Sequence, residues 1–101
     1  MGYNKLRASN GHLRRTLIAR LKATGNNVCW ICGKPINMDL KYPDPMSWSC
    51  DEYIPVSLGG SGMEFSNLRE AHLVCNERRG NKLPQEIKSM KRREIKKSNK
   101  L

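Results

Sequence analysis

The sequence predicts a small α+β domain in need of a staple and flanked by basic helices, and three observations lead there. The chain has 101 residues, of which 38% are hydrophobic and 6% aromatic. That fills one domain whose core is too thin to hold without help. Four cysteines are available to supply it. Finally, Lys+Arg number 19 against Asp+Glu 9, a formal net charge of +10, which points to a polyanionic partner. The excess lies at the two ends, around an acidic centre over residues 28–75. We read a single domain over 1–101, with a core over 28–83 and basic helical arms over 1–27 and 84–101.

The elements follow in order. From Ser9 to Thr24, Leu13, Leu17, Ile18 and Leu21 recur at helical spacing between Arg14, Arg15, Arg20 and Lys22, with Ser9 or Asn10 as cap and Gly25 as stop. Cys29-Trp30-Ile31-Cys32-Gly33-Lys34-Pro35-Ile36 predicts a tight knuckle and an edge strand, since Gly33 and Pro35 would interrupt a helix. After a polar loop, Trp48, Cys50, Ile54 and Val56 fall on one parity of a strand that ends near Pro55, and the Gly59-Gly60-Ser61-Gly62 run makes a wide loop. A short helix is expected over Leu73 to Arg79, stopped by Gly80. Pro84 opens a further basic helix to about Lys97.

No apolar stretch approaches the roughly 18 residues that a membrane span requires. None follows the N-terminal charges as a secretory signal would. The expected partner set therefore excludes a membrane, and the expected compartment is the reducing cytoplasm, where clustered cysteines bind metal more often than they pair.

Cys29 and Cys32 have the gap that presents two thiolates to one tetrahedral ion, and His72 and Cys75 repeat it. Together they form a Cys3His zinc set, the kind of site whose binding energy is folding energy. Two competing readings are a redox pair at Cys29 and Cys32, or a quartet in which Cys50 replaces His72. The first lacks the alternating strand-helix pattern, and the second puts as ligand a cysteine in an apolar strand row, where a buried thiol is ordinary.

Glu52 shares the apolar parity of its strand, where a carboxylate costs free energy unless a charge meets it. The alternative is a strand that bends at Asp51 and leaves both acids in water.

The run Asp51-Glu52-Tyr53-Ile54-Pro55-Val56-Ser57-Leu58-Gly59-Gly60, followed by Asn67-Leu68 and by His72-Leu73-Val74-Cys75-Asn76-Glu77-Arg78-Arg79-Gly80, resembles the ββα-metal core of HNH (His-Me finger) endonucleases. The likeness spans Cys29 to Gly80. It implies a zinc-stapled ββα-metal core in which Asp51 and Asn76 hold a catalytic divalent cation, Mg²⁺ or Mn²⁺, and Asn67 braces the loop over the site. It also implies that the residue after the Asp activates water. That residue is normally His and here is Glu52, a departure shared with phage-type variants of the family. His72 stands where relatives commonly have a zinc-binding Cys. The resemblance further implies a phage or prophage DNA endonuclease working in a bacterial host, in some relatives beside the DNA-packaging terminase.

Oxygen donors such as Asp51 and Asn76 suit Mg²⁺ or Mn²⁺ and leave positions for water and phosphate. Glu52 would take a proton from water as a weaker base than His, or would itself bind the metal. Double-stranded DNA is gripped chiefly through phosphates, which makes Arg14, Arg15, Arg78, Arg79, Lys91, Arg92 and Arg93 candidate contacts. No aromatic series is interleaved with these charges to favour a single strand. The rival readings are a zinc-containing DNA-binding module without catalysis, and a basic RNA-binding protein that leaves Asp51, Asn67 and Asn76 without roles.

Overall fold

The computed structural model describes residues 2–87, with side chains from Gly11 onward. Helix α1 runs over Gly2–Thr24, strand β1 over Trp48–Glu52, strand β2 over Leu68–His72 and helix α2 over Leu73–Arg79. Single 3-10 turns lie at Val56–Leu58 and Phe65–Asn67. The result is an α+β domain in which a two-stranded antiparallel sheet carries α2 at its end and α1 against β2.

Helix α1 starts earlier than the Ser9 or Asn10 cap implies. Leu6, Arg7 and Ala8 are good helix formers, and their propensity carries the helix through residues that would otherwise cap it. It stops where expected: the Gly25 N–H donates to Leu21 O at 2.8 Å. A Cβ at Gly25 would stand 2.2 Å from Glu70 Oε1, so this glycine also admits a carboxylate from β2.

The edge strand expected after the knuckle is reduced to one Val28–Pro35 bridge. Pro35 has no N–H with which to extend a ladder. The knuckle is closed by Gly33 N–H to Cys29 O at 2.8 Å, with Gly33 at φ 77, where a side chain would be strained.

Strand β1 ends at Glu52 rather than near Pro55. Tyr53 and Ile54 are drawn out of the ladder because both of their N–H groups go to Asn67, at its backbone O (2.7 Å) and at its Oδ1 (2.9 Å). The expected inward parity fails as well, because Trp30 and Arg79 supply donors that allow Asp51 to be the buried acid. Asp51 is buried at 6% exposure, Glu52 is half-buried and Val56 is 58% exposed. Opposite it, β2 pairs Trp48 with His72 through to Glu52 with Leu68.

Helix α2 has the predicted bounds and ends at Gly80, φ 58. Its first N–H groups are met by the preceding loop, Leu73 by Ser47 O (2.9 Å) and Val74 by Pro45 O (2.8 Å). These carbonyls stand in for a capping side chain. Residues 84–87 are helical as expected from Pro84, and the rest of the expected helix lies outside the described residues. The apolar core is small: Cys29, Ile36 and Ala71, packed by Trp30, Ile31, Cys32, Met38, Trp48 and Cys75. No helix among the described residues is long and apolar enough to cross a membrane.

Candidate metal centre and adjoining carboxylate site

The core is built around the predicted quartet. The ligand atoms of Cys29, Cys32, His72 and Cys75 all lie within 4.8 Å of one another. The knuckle contributes the first two, the end of β2 contributes His72, and the first turn of α2 contributes Cys75. His72 Nε2 faces Pro35 O at 3.1 Å, and Nδ1 faces Cys32 Sγ at 3.3 Å and Cys75 Sγ at 3.9 Å. A carbonyl can only accept, so the proton sits on Nε2 and the Nδ1 lone pair points at the thiols. That is the tautomer and backing that metal-binding histidines use.

The thiols carry the same message. Burial pushes Cys29 up, but donors from the backbones of Cys32, His72 and Ile31 outweigh it and leave the thiol below its ordinary value. Cys75 is pushed up to about 12 by burial and by the neighbouring Cys29 and Cys32. Thiolates crowded this closely repel one another unless a cation lies between them. This donor set could hold a metal ion such as zinc. Cys50 is outside the quartet; burial pushes its thiol up to about 11.

Along β1 stand Asp51 and Glu52, with Asn67 and Asn76 tied to the same stretch of chain. Asn67 Nδ2 donates to Ile54 O and to Ser61 O, each at 3.0 Å, which ties the β1 turn to the glycine loop. That closure needs Gly60, where a Cβ would fall 1.7 Å from Ile54 O. Asn76 Nδ2 donates to Ser49 Oγ and Cys50 O, each at 3.2 Å, which turns its Oδ1 the other way. Asp51 Oδ2 accepts from Trp30 Nε1 (3.0 Å) and Arg79 (2.8 Å), and Oδ1 accepts from the Glu52 N–H (2.9 Å). Burial raises the Asp51 carboxyl above its ordinary value, against the pull of the Arg79 hydrogen bond and charge. Glu52 Oε2 is met by Arg14 at 3.0 Å.

Two of the residues expected on phosphates are engaged here instead. Arg79 is only 2% exposed. Besides Asp51 it donates to the carbonyls of Glu52, Tyr53 (2.6 Å) and Lys82 (2.8 Å), so it is corrected from a surface contact to an internal brace. Arg14 donates to Glu52 and to Gly62 O at 3.0 Å. Arg15 and Arg78 are exposed. Arg20 lies 4.1 Å from the Phe65 ring centre and Lys22 lies 5.6 Å from that of Trp48. Lys91, Arg92 and Arg93 fall outside the described residues.

Sequence reasoning missed three structural partners. Trp30, inside the knuckle, donates to the Asp51 carboxylate. Glu70 is 6% exposed and accepts from the Asn27 backbone N–H, Asn27 Nδ2 and Trp48 Nε1 (2.8 Å). Arg79 differs from Arg78 by one signal that the spacing holds: it lies seven, four and three residues after His72, Cys75 and Asn76, on their helical face.

Searches against family models, curated proteins and solved structures find no match for this chain. What stands is a small α+β fold whose Cys3His cluster could hold a metal ion such as zinc.

Proposed function

We propose that the protein is a divalent-metal-dependent DNA endonuclease of the HNH, or His-Me finger, type, with a zinc-stapled ββα-metal core formed by β1, β2 and α2. The observation that carries this reading is the convergence of Asp51, Glu52, Asn67 and Asn76. Asn67 holds the Ile54 N–H just after the two carboxylates of β1, and Asn76 on α2 donates to Cys50 O just before them. A two-strand and helix unit is what the resemblance of the sequence implies, and both asparagines are fixed through their amides.

The residues fit a hard cation in a limited way. Oδ1 of Asp51 retains one lone pair, and the Oδ1 of Asn76 is turned away from its own donor contacts. Such a pair suits Mg²⁺ or Mn²⁺ held jointly with substrate phosphates rather than in an all-protein cage. When bound, the cation would polarise the scissile phosphate and neutralise charge on the leaving oxygen. Glu52, half-buried at the mouth, would take the proton of the attacking water once Arg14 shifts to a phosphate. Arg15 and Arg78 would hold the DNA backbone, with Lys91, Arg92 and Arg93. By kinship with phage-type members, the enzyme would work in a bacterial host beside DNA-packaging terminase proteins.

One observation favours a second reading, a DNA-binding module without catalysis: both carboxylates already have internal guanidinium partners. The two readings part on substitution. Asp51→Ala and Asn76→Ala abolish nicking of duplex DNA while gel-shift affinity stays within about twofold if the site is catalytic. A wild-type protein that binds duplex DNA but never cuts it identifies the module.

A further inference from the structure

Trp30 stands inside the knuckle, one residue after Cys29 and two before Cys32, and its backbone N–H is pinned to β2 at Glu70 O, 2.9 Å. Its indole is contacted by the Tyr53 ring at 5.4 Å between centroids and by the Arg79 guanidinium at 5.0 Å. The polar edge of that ring donates to Asp51 Oδ2 at 3.0 Å. No other side chain of the knuckle reaches the carboxylate among the hydrogen bonds of the described residues.

The consequence lies in the lone pairs. Oδ2 accepts from both Trp30 and Arg79 and is full, whereas Oδ1, among the hydrogen bonds given for the described residues, accepts one, from the Glu52 N–H. The carboxylate is therefore oriented so that it can offer one oxygen only. Its terminal torsion is intrinsically broad, so the two donors on Oδ2 are what select this orientation. Arg79 belongs to α2, but Trp30 belongs to the loop that Cys29 and Cys32 close.

We propose that Trp30 is a positioning residue through which the metal-binding knuckle sets the orientation of the Asp51 carboxylate. The proposal rests on the reading of Asp51 as a cation ligand. It predicts that the two centres are one unit, because a group that fixes a ligand's orientation typically changes metal affinity or activity by about 10–100-fold when it is lost.

Trp30→Phe keeps the ring and removes the N–H. In zinc-loaded protein this variant should retain its zinc content and its DNA affinity, while the Mn²⁺ concentration for half-maximal plasmid cleavage rises roughly 10–100-fold. Trp48→Phe, which loses an indole donor to Glu70 instead, should leave that concentration unchanged. A second readout needs no activity: the Trp30 indole N–H resonance in wild-type protein should move upfield in Asp51→Asn, while that of Trp48 stays. An indole resonance indifferent to Asp51→Asn, or an unchanged Mn²⁺ requirement in Trp30→Phe, overturns the proposal. An indole that responds in a protein that cleaves nothing supports the coupling of knuckle and carboxylate, and it is the nuclease reading that then fails.

Discussion

The quartet and the carboxylate site are neighbours that balance charge in opposite ways. The ion pairs given for the described residues involve none of Cys29, Cys32, His72 and Cys75, and Cys75 is pushed up to about 12 by burial and by its fellow thiols. At the carboxylate site each acid has a guanidinium of its own, Arg79 on Asp51 and Arg14 on Glu52. A centre that lacks a counter-charge demands an ion in order to fold. A centre that carries its own counter-charge has no such need and is stable without an ion.

Removing the ion from the quartet is the sharpest way to break this contrast. Structural zinc contributes on the order of 10–16 kcal/mol in small zinc domains, so a strong chelator should unfold the protein cooperatively in circular dichroism, and zinc should restore it. Cys29→Ser and Cys75→Ser should behave as the stripped protein does. Chelator-resistant folding would erase the distinction between the two centres.

At the other centre the large effect comes from the buried brace. Arg79→Met leaves Asp51 buried without its cation, which should cost about 3–5 kcal/mol in urea unfolding. Adding Asp51→Leu should recover only part of this, because the carbonyls of Glu52, Tyr53 and Lys82 remain without their donor.

Cys50 tests whether a thiol beside the quartet behaves differently from one within it. Its value moves from 9.0 to about 11 because burial disfavours the thiolate. The folded state therefore holds this proton above the pH at which the unfolded chain has lost it. The stability it contributes is complete below about pH 9 and is lost as pH rises toward 11. Cys50→Ala should flatten that part of the stability curve. In zinc-loaded protein, alkylation of Cys50 at pH 8 should be slow and should rise steeply with pH, as mass spectrometry will show.

The smallest effect is expected at Arg14→Ala. The Arg14–Glu52 pair is 32% and 20% exposed on its two side chains, and such pairs contribute about 0–1 kcal/mol. A shift in thermal midpoint of more than a few degrees would mean that α1 is a structural part of the site and not a releasable arm.

The contrast also explains what could be read in the sequence. The quartet was legible because metal ligands sit at fixed gaps, and α2 because Gly80 and its cysteine-bearing first turn bound it. Strand β2 was not: Leu-Arg-Glu-Ala-His has no β-branched residue, and it is a strand because β1 and the buried Glu70 clamp make it one. The burial of Asp51 in place of Glu52 depends on Trp30 and Arg79, 21 and 28 residues away, whose donors meet its carboxylate and which local parity does not encode. The burial of Arg79 against Asp51 has little local trace because an internal ion pair is a tertiary event.

The nuclease proposal is tested most directly by cleavage of DNA. Zinc-loaded protein should be incubated with supercoiled plasmid in Mg²⁺, in Mn²⁺ and in a chelator too weak to remove the zinc, with Asp51→Ala and Glu52→Ala alongside. Under the proposed nuclease activity, nicking needs the added cation, vanishes with Asp51→Ala and falls strongly with Glu52→Ala. Duplex binding without cleavage in either cation would contradict it and leave a zinc-containing DNA-binding module.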